Sequence, residues 1–177
     1  MARKPREDVA GAIHHVYARG VRKQAIYRDR VDHVSYLFML GDIVQTFEWN
    51  LFAYCLMGNH VHLVVETPRP TLARGMCLLH GDYARLFNER HGESGHVFER
   101  RYGSKRARTD QQLWMAVRYV DDNPVKASLC KRPEEWRWGS RYVIARGEAP
   151  EWLAHEQWGE RVEAMFGPTP GTGAADR

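Results

Sequence analysis

The chain of 177 residues is long enough for one domain with its own core and short for two. Hydrophobic residues make up 44% and charged residues 27%, the balance of an ordinary globular protein, which excludes a disordered or lipid-embedded chain. Lysine and arginine outnumber aspartate and glutamate 26 to 22, a net charge of +4 that suits a polyanionic partner without requiring one.

The basic opening "MARKPREDVAGAIHHV" lacks the apolar core of a secretory signal. No run approaches the roughly 18 apolar residues of a membrane span, so a cytoplasmic protein without a membrane partner is expected. Cys55, Cys77 and Cys130 form no metal or redox pair and are expected to be reduced and mostly buried.

After a charged arm, "AIHHVYARGV" is a strand candidate with Ile13, His15 and Tyr17 on one face and His14, Val16 and Ala18 on the other. Asp29 is a usable N-cap for a helix over about residues 29–46, whose apolar stripe would be Val31, Val34, Leu37, Phe38 and Leu40, with Gly41 interrupting the pattern. "WNLFAYCLM" and "HVHLVVET" read as a hairpin around Gly58-Asn59, a pair that tolerates positive backbone dihedrals. A second helix follows with Leu72, Met76, Leu79, Tyr83, Leu86 and Phe87 on one stripe, interrupted by Gly75 and Gly81 and stopped by Gly92.

Residues 95–108 alternate loosely and gather Arg100, Arg101, Lys105, Arg106 and Arg108 against the single acid Glu99. A third helix starts at Thr109 or Asp110, buries Leu113, Ala116, Val117 and Val120, and must end near Asn123 because Pro124 follows. The aromatic segment "RPEEWRWGSRYV" is expected to pack back on the domain. Residues 1–166 then form one domain, and 167–177 a flexible tail. The element order predicts an α+β fold with helices on an antiparallel sheet.

Within the second hairpin strand, His60 and His62 are two apart and project to one face while Val61 faces the core. Leu56, Met57, Leu63, Val64 and Val65 make the element a buried one, where polar side chains need a partner, and a metal ion or a phosphate would serve. With no cysteine ligand nearby, magnesium or manganese is favoured over structural zinc. On the third helix Tyr119 and Asn123 are four apart and face the same way. Alone they read as a boundary aromatic and a helix cap; beside a cation they read as a nucleophile and a further ligand.

"YCLMGNHVHLVVE", "GHVFERRYGSKR" and "YVDDNPVKASLCKRPEEWRWGS", preceded by "IHHVYARG", resemble in order the histidine strand, basic segment, tyrosine helix and first strand of the single-tyrosine HUH transposases, in particular the REP-associated tyrosine transposases. The likeness spans roughly residues 12–143. Gly58 stands where the family commonly has proline, and Asp121-Asp122 where a less acidic pair is expected.

The resemblance implies a ferredoxin-like sheet with helices packed on it. It implies a metal-binding pair His60 and His62, a nucleophile Tyr119, a third protein ligand Asn123 and a magnesium or manganese cofactor. Arg100, Arg101, Lys105, Arg106 and Arg108 would bind DNA, and Trp136, Trp138 and Tyr142 are either stacking surfaces for unpaired bases or packing residues. The implied activity is cleavage and rejoining of single-stranded DNA beside palindromic hairpins through a 5′-phosphotyrosine, by a monomer or homodimer. The alternative is a domesticated protein that binds hairpins without cutting them. A water-using phosphoesterase and an RNA-binding α+β module are further alternatives, the last disfavoured by histidines where base-stacking aromatics would be wanted.

Overall fold

The computed structural model describes residues 8–167, so the charged arm before Asp8 and the expected tail from residue 168 onward lie outside the described residues. Strand β1 (Ala12–Arg19) is followed by helix α1 (Arg30–Phe47), the hairpin β2 (Asn50–Met57) and β3 (His60–Thr67), helix α2 (Leu72–His91) and strand β4 (Gly103–Ala107). The strands pair antiparallel in the order β2-β3-β1-β4, which with this β-α-β-β-α-β sequence is the ferredoxin-like arrangement. Helices α3 (Asp110–Asp121), α4 (Asn123–Lys126), α5 (Ser140–Ala145) and α6 (His155–Phe166) complete the chain.

Alternation along the strands gives the sheet two working faces. Val16, Ala18, Val61, Leu63 and Val65 join Tyr36, Leu40 and Val44 of α1 and Leu72, Met76, Leu79 and Tyr83 of α2 in the main core. The opposite face carries a smaller cluster in which Phe52, Cys55, Met57 and Val64 meet Leu113, Val117 and Val120 of α3. Truncating a fully buried leucine such as Leu63 or Leu40 to alanine would cost about 2–5 kcal/mol.

The helix ends follow their capping residues. The Asp29 side chain accepts from Asp32 N, that of Thr109 accepts from Gln112 N, and Gly92 closes α2 in the left-handed conformation at φ 63. The face of α1 differs from expectation. Val31, Val34 and Phe38 are exposed, whereas Asp32, Tyr36, Gly41, Val44 and Phe47 are buried together with Leu40. Asp32 tolerates burial because Arg90 and His91 of α2 reach it, His91 at 2.9 Å, and Arg28 N donates to it at 2.8 Å.

None of the glycines at 41, 75 and 81 interrupts a helix. A Cβ at Gly41 would lie 2.7 Å from the Trp152 indole nitrogen and one at Gly75 2.4 Å from the Trp49 ring, so both mark close approaches. The Gly58-Asn59 turn, in turn, uses no positive φ. Of the cysteines only Cys55 is buried; Cys77 is exposed and Cys130 half-buried.

The aromatic segment does pack back. Leu56 N donates to Trp138 O at 2.9 Å, Tyr54 N to Ser140 Oγ at 3.2 Å and Trp136 Nε1 to Leu56 O at 3.1 Å, which covers the outer edge of β2. Trp138 also stacks on His33 with ring centres 4.2 Å apart. Trp136 and Trp138 are thus packing residues. No helix among the described residues is long and apolar enough to cross a membrane.

Candidate active site

The register of β1 against β3 sets Tyr17 opposite His62 and Arg19 opposite His60, so these four residues share one face with His15. Helix α3 lies across that face, and the side that its core stripe leaves free presents Tyr119, which is 44% exposed. The Tyr119 ring stands 5.6 Å from His62, nearly perpendicular to it, and 5.4 Å from His15. His60 and His62 are 5.1 Å apart, also perpendicular.

Burial sets the charge state of the three imidazoles. Desolvation lowers His62 to about 3, helped by His15 and His60, and lowers His15 to about 4, helped by Lys105. His60 is lowered too, first by desolvation and then by Arg19. All three are neutral near pH 7 and keep a nitrogen lone pair. His60 Nδ1 lies 2.7 Å from Asn59 Oδ1 and His62 Nδ1 lies 3.0 Å from His15 Nε2, so Nε2 is the nitrogen each histidine of the pair has left for a cation.

Asn123 heads α4, and its amide donates to the Tyr119 carbonyl at 2.7 Å, which leaves Oδ1 as its acceptor. It is therefore a cap and a candidate ligand at once. Tyr17, His60, His62, Tyr119, Asn123 and Arg100 line one cleft of about 470 Å³. Among the described residues no three His, Cys, Asp or Glu side chains converge on a point. Two imidazoles and one carboxamide oxygen could hold a divalent cation and leave open positions for water or phosphate oxygens, unlike a closed four-ligand zinc site.

The basic residues divide. Arg100 lines the cleft, while Lys105 and Arg106 line an adjoining hollow of about 590 Å³ that shares Tyr17, His62 and Tyr119 with it. Arg101 lines a separate pocket between α2 and residues 95–102, and Arg108 sits at the start of α3, its N–H donating to Gln112 Oε1 at 2.7 Å. Two neighbours of the tyrosine escape sequence reasoning. His15 has a signal in the alternation of β1, but only the pairing with β3 brings it to His62. Lys126, whose ammonium lies 4.8 Å over the Tyr119 ring, is placed by the turn between α3 and α4.

The family described as "Transposase IS200 like" matches residues 9–123, which include the histidine strand, the basic strand and the tyrosine helix. Among solved structures, the REP-associated tyrosine transposase bound to a REP hairpin superposes with a TM-score of 0.68 at 16% identity, covering 85% of this chain and 89% of that one. A candidate transposase from Deinococcus radiodurans R1 gives a TM-score of 0.46 at 19% identity over 68% of this chain and 97% of its own. No curated protein shows significant similarity to the chain.

Proposed function

The chain belongs to the IS200-like transposase family, and from that membership we propose that it cleaves and rejoins single-stranded DNA beside a palindromic hairpin, with Tyr119 as the attacking group. The observation that carries this reading is the placement of the Tyr119 ring against His62 in a cleft that also holds His60 and Asn123. A fold shared with a transposase solved on a REP hairpin supports the hairpin as the partner.

His15 and His62 on the sheet side and Lys126 over its ring flank Tyr119, and from this position it would attack the phosphate in line. Its phenolic oxygen bonds to the scissile phosphorus and releases the phenolic proton. The bond from phosphorus to the 3′-oxygen breaks, and that oxygen takes up a proton to leave as a hydroxyl. The 5′ end stays on the protein as a phosphotyrosine diester. Attack by a different 3′-hydroxyl reverses the step and joins two strands with no external energy.

His60, His62 and Asn123 Oδ1 would hold a magnesium or manganese ion, whose charge offsets that gathering on the phosphate oxygens. Arg100 on one side of Tyr119 and Lys105 on the other would bind the flanking phosphates and make association salt-dependent.

Incubating the protein with manganese and hairpin-bearing single strands, then denaturing, tests the reading. A protein–DNA adduct that survives denaturation and disappears in Tyr119→Phe is expected. Cleavage at an unchanged rate in Tyr119→Phe would mean that water is the nucleophile. Tight hairpin binding without an adduct would mean a non-cleaving binder.

A further inference from the structure

The turn after β1 is strained. Arg22 and Lys23 are consecutive residues in the left-handed region, φ 51 and 62, a conformation that crowds the Cβ of any non-glycine residue against its own carbonyl oxygen. Gly20 opens the turn, where a Cβ would lie 2.2 Å from the Gln24 carbonyl oxygen. Strain of this kind persists only where neighbouring contacts over-determine it, and both ends of this turn are fastened to one residue. Gly20 N donates to Asn59 O at 2.9 Å, and Lys23 O accepts from Asn59 Nδ2 at 3.0 Å.

A backbone carbonyl can only accept, so the Asn59 atom facing Lys23 must be its NH2 group. The other end of the carboxamide, Oδ1, is then the atom 2.7 Å from His60 Nδ1. A carboxamide oxygen also only accepts, so the proton of neutral His60 resides on Nδ1 and the lone pair on Nε2. A histidine free in water prefers the opposite tautomer.

We infer that Asn59, aimed by the Lys23 carbonyl, is a positioning residue that locks His60 in the Nδ1–H tautomer and so presents Nε2 to a divalent cation. The inference rests on the reading of His60 as a metal ligand. It gives the strained turn a role: the backbone of one loop selects which nitrogen of a side chain on the neighbouring strand is available.

The test reads the tautomer directly in metal-free, 15N-labelled protein by long-range proton–nitrogen correlation at mildly alkaline pH, with Mn2+ binding measured in parallel by electron paramagnetic resonance. Wild type is expected to show His60 as Nδ1–H. Asn59→Ala is expected to shift His60 toward Nε2–H and to weaken Mn2+ binding about tenfold or more. Asn59→Asp keeps an acceptor beside Nδ1 but loses the donor to the Lys23 carbonyl, so it is expected to hold the tautomer and the affinity better than Asn59→Ala and less well than wild type. The His62 signals, governed by His15, should stay in place in each variant and report that the site remains folded.

A wild-type His60 in the Nε2–H form, or an unchanged tautomer in Asn59→Ala, would overturn the inference. A shifted tautomer in Asn59→Ala with Mn2+ binding intact in His60→Ala would instead overturn the metal-ligand reading itself, and with it any purpose for the lock.

Discussion

Asn123 donates its side-chain amide to the backbone carbonyl of Tyr119 at 2.7 Å, so the proposed nucleophile and the proposed third ligand are tied through the last turn of α3. One side chain thereby fixes a helix end and offers its remaining oxygen to the cleft. The two roles separate by substitution. Asn123→Asp keeps an oxygen and loses the donor, whereas Asn123→Ala loses both. Adduct formation should fall about tenfold or more in Asn123→Ala and less in Asn123→Asp, read as initial rates at saturating manganese. Equal losses would mean that the cap, and not the ligand, is what matters.

Lys126 is four residues past the start of the α3–α4 junction and sets its ammonium over the face of Tyr119. A cation in that position attracts the ring by about 0.5–1 kcal/mol where water reaches the pair. Lys126→Ala should therefore lower folding stability by no more than about 0.5–1 kcal/mol and, by loosening the ring, slow adduct formation about threefold or more. Lys126→Arg should restore most of the rate. Full activity in Lys126→Ala would show that the imidazoles of His15 and His62 alone hold the ring.

Much of this arrangement is legible in the sequence because its signals are local. Asp29, Thr109 and Gly92 mark helix ends by their own hydrogen bonds or backbone conformation, and Leu113, Val117 and Val120 give the buried side of α3 by spacing. The pairing of Tyr119 with Asn123 is equally local. What is not legible depends on distant partners. The buried face of α1 includes an aspartate whose counterions lie on α2 and a glycine against which Trp152 packs, so an apolar stripe points to the wrong side. Helix α6 carries Trp158, Val162 and Met165 at helical spacing, yet it fully buries none of its residues, and Trp158 only packs against the smaller cluster. His15 becomes a neighbour of His62 only through strand pairing across 47 residues.

Gly103 and Gly58 make opposite predictions from the same kind of reasoning. A Cβ at Gly103 would lie 2.4 Å from the Tyr17 ring, so Gly103→Ala must push that ring toward the cleft that holds His62 and Tyr119. A destabilisation of about 1–3 kcal/mol and a lower adduct rate are expected. Gly58 meets nothing within 4 Å and does not use a positive φ, so Gly58→Ala should raise stability by about 0.4–1 kcal/mol by narrowing the unfolded ensemble. Urea titration of the two variants checks both signs. A stabilised Gly103→Ala would mean that Tyr17 has room to rotate away.

His80 lies away from the cleft and gives the clearest dependence on pH. It is a buried residue of α2 stacked on the Phe98 ring, 4.1 Å away, and its Nε2 shares a hydrogen bond of 3.2 Å with the Tyr36 hydroxyl. Desolvation lowers its pKa from 6.5 to about 3. Between those two values the unfolded chain binds a proton that the folded chain refuses, so the contribution of neutral His80 is complete above pH 6.5 and is lost as pH falls toward 3. His80→Gln offers Tyr36 an acceptor without a titrating group. Its stability should fall less steeply than wild type between pH 6.5 and 4, although its absolute stability is lower for want of the ring on Phe98. Parallel slopes for the two proteins would mean that the folded state takes up the proton at His80.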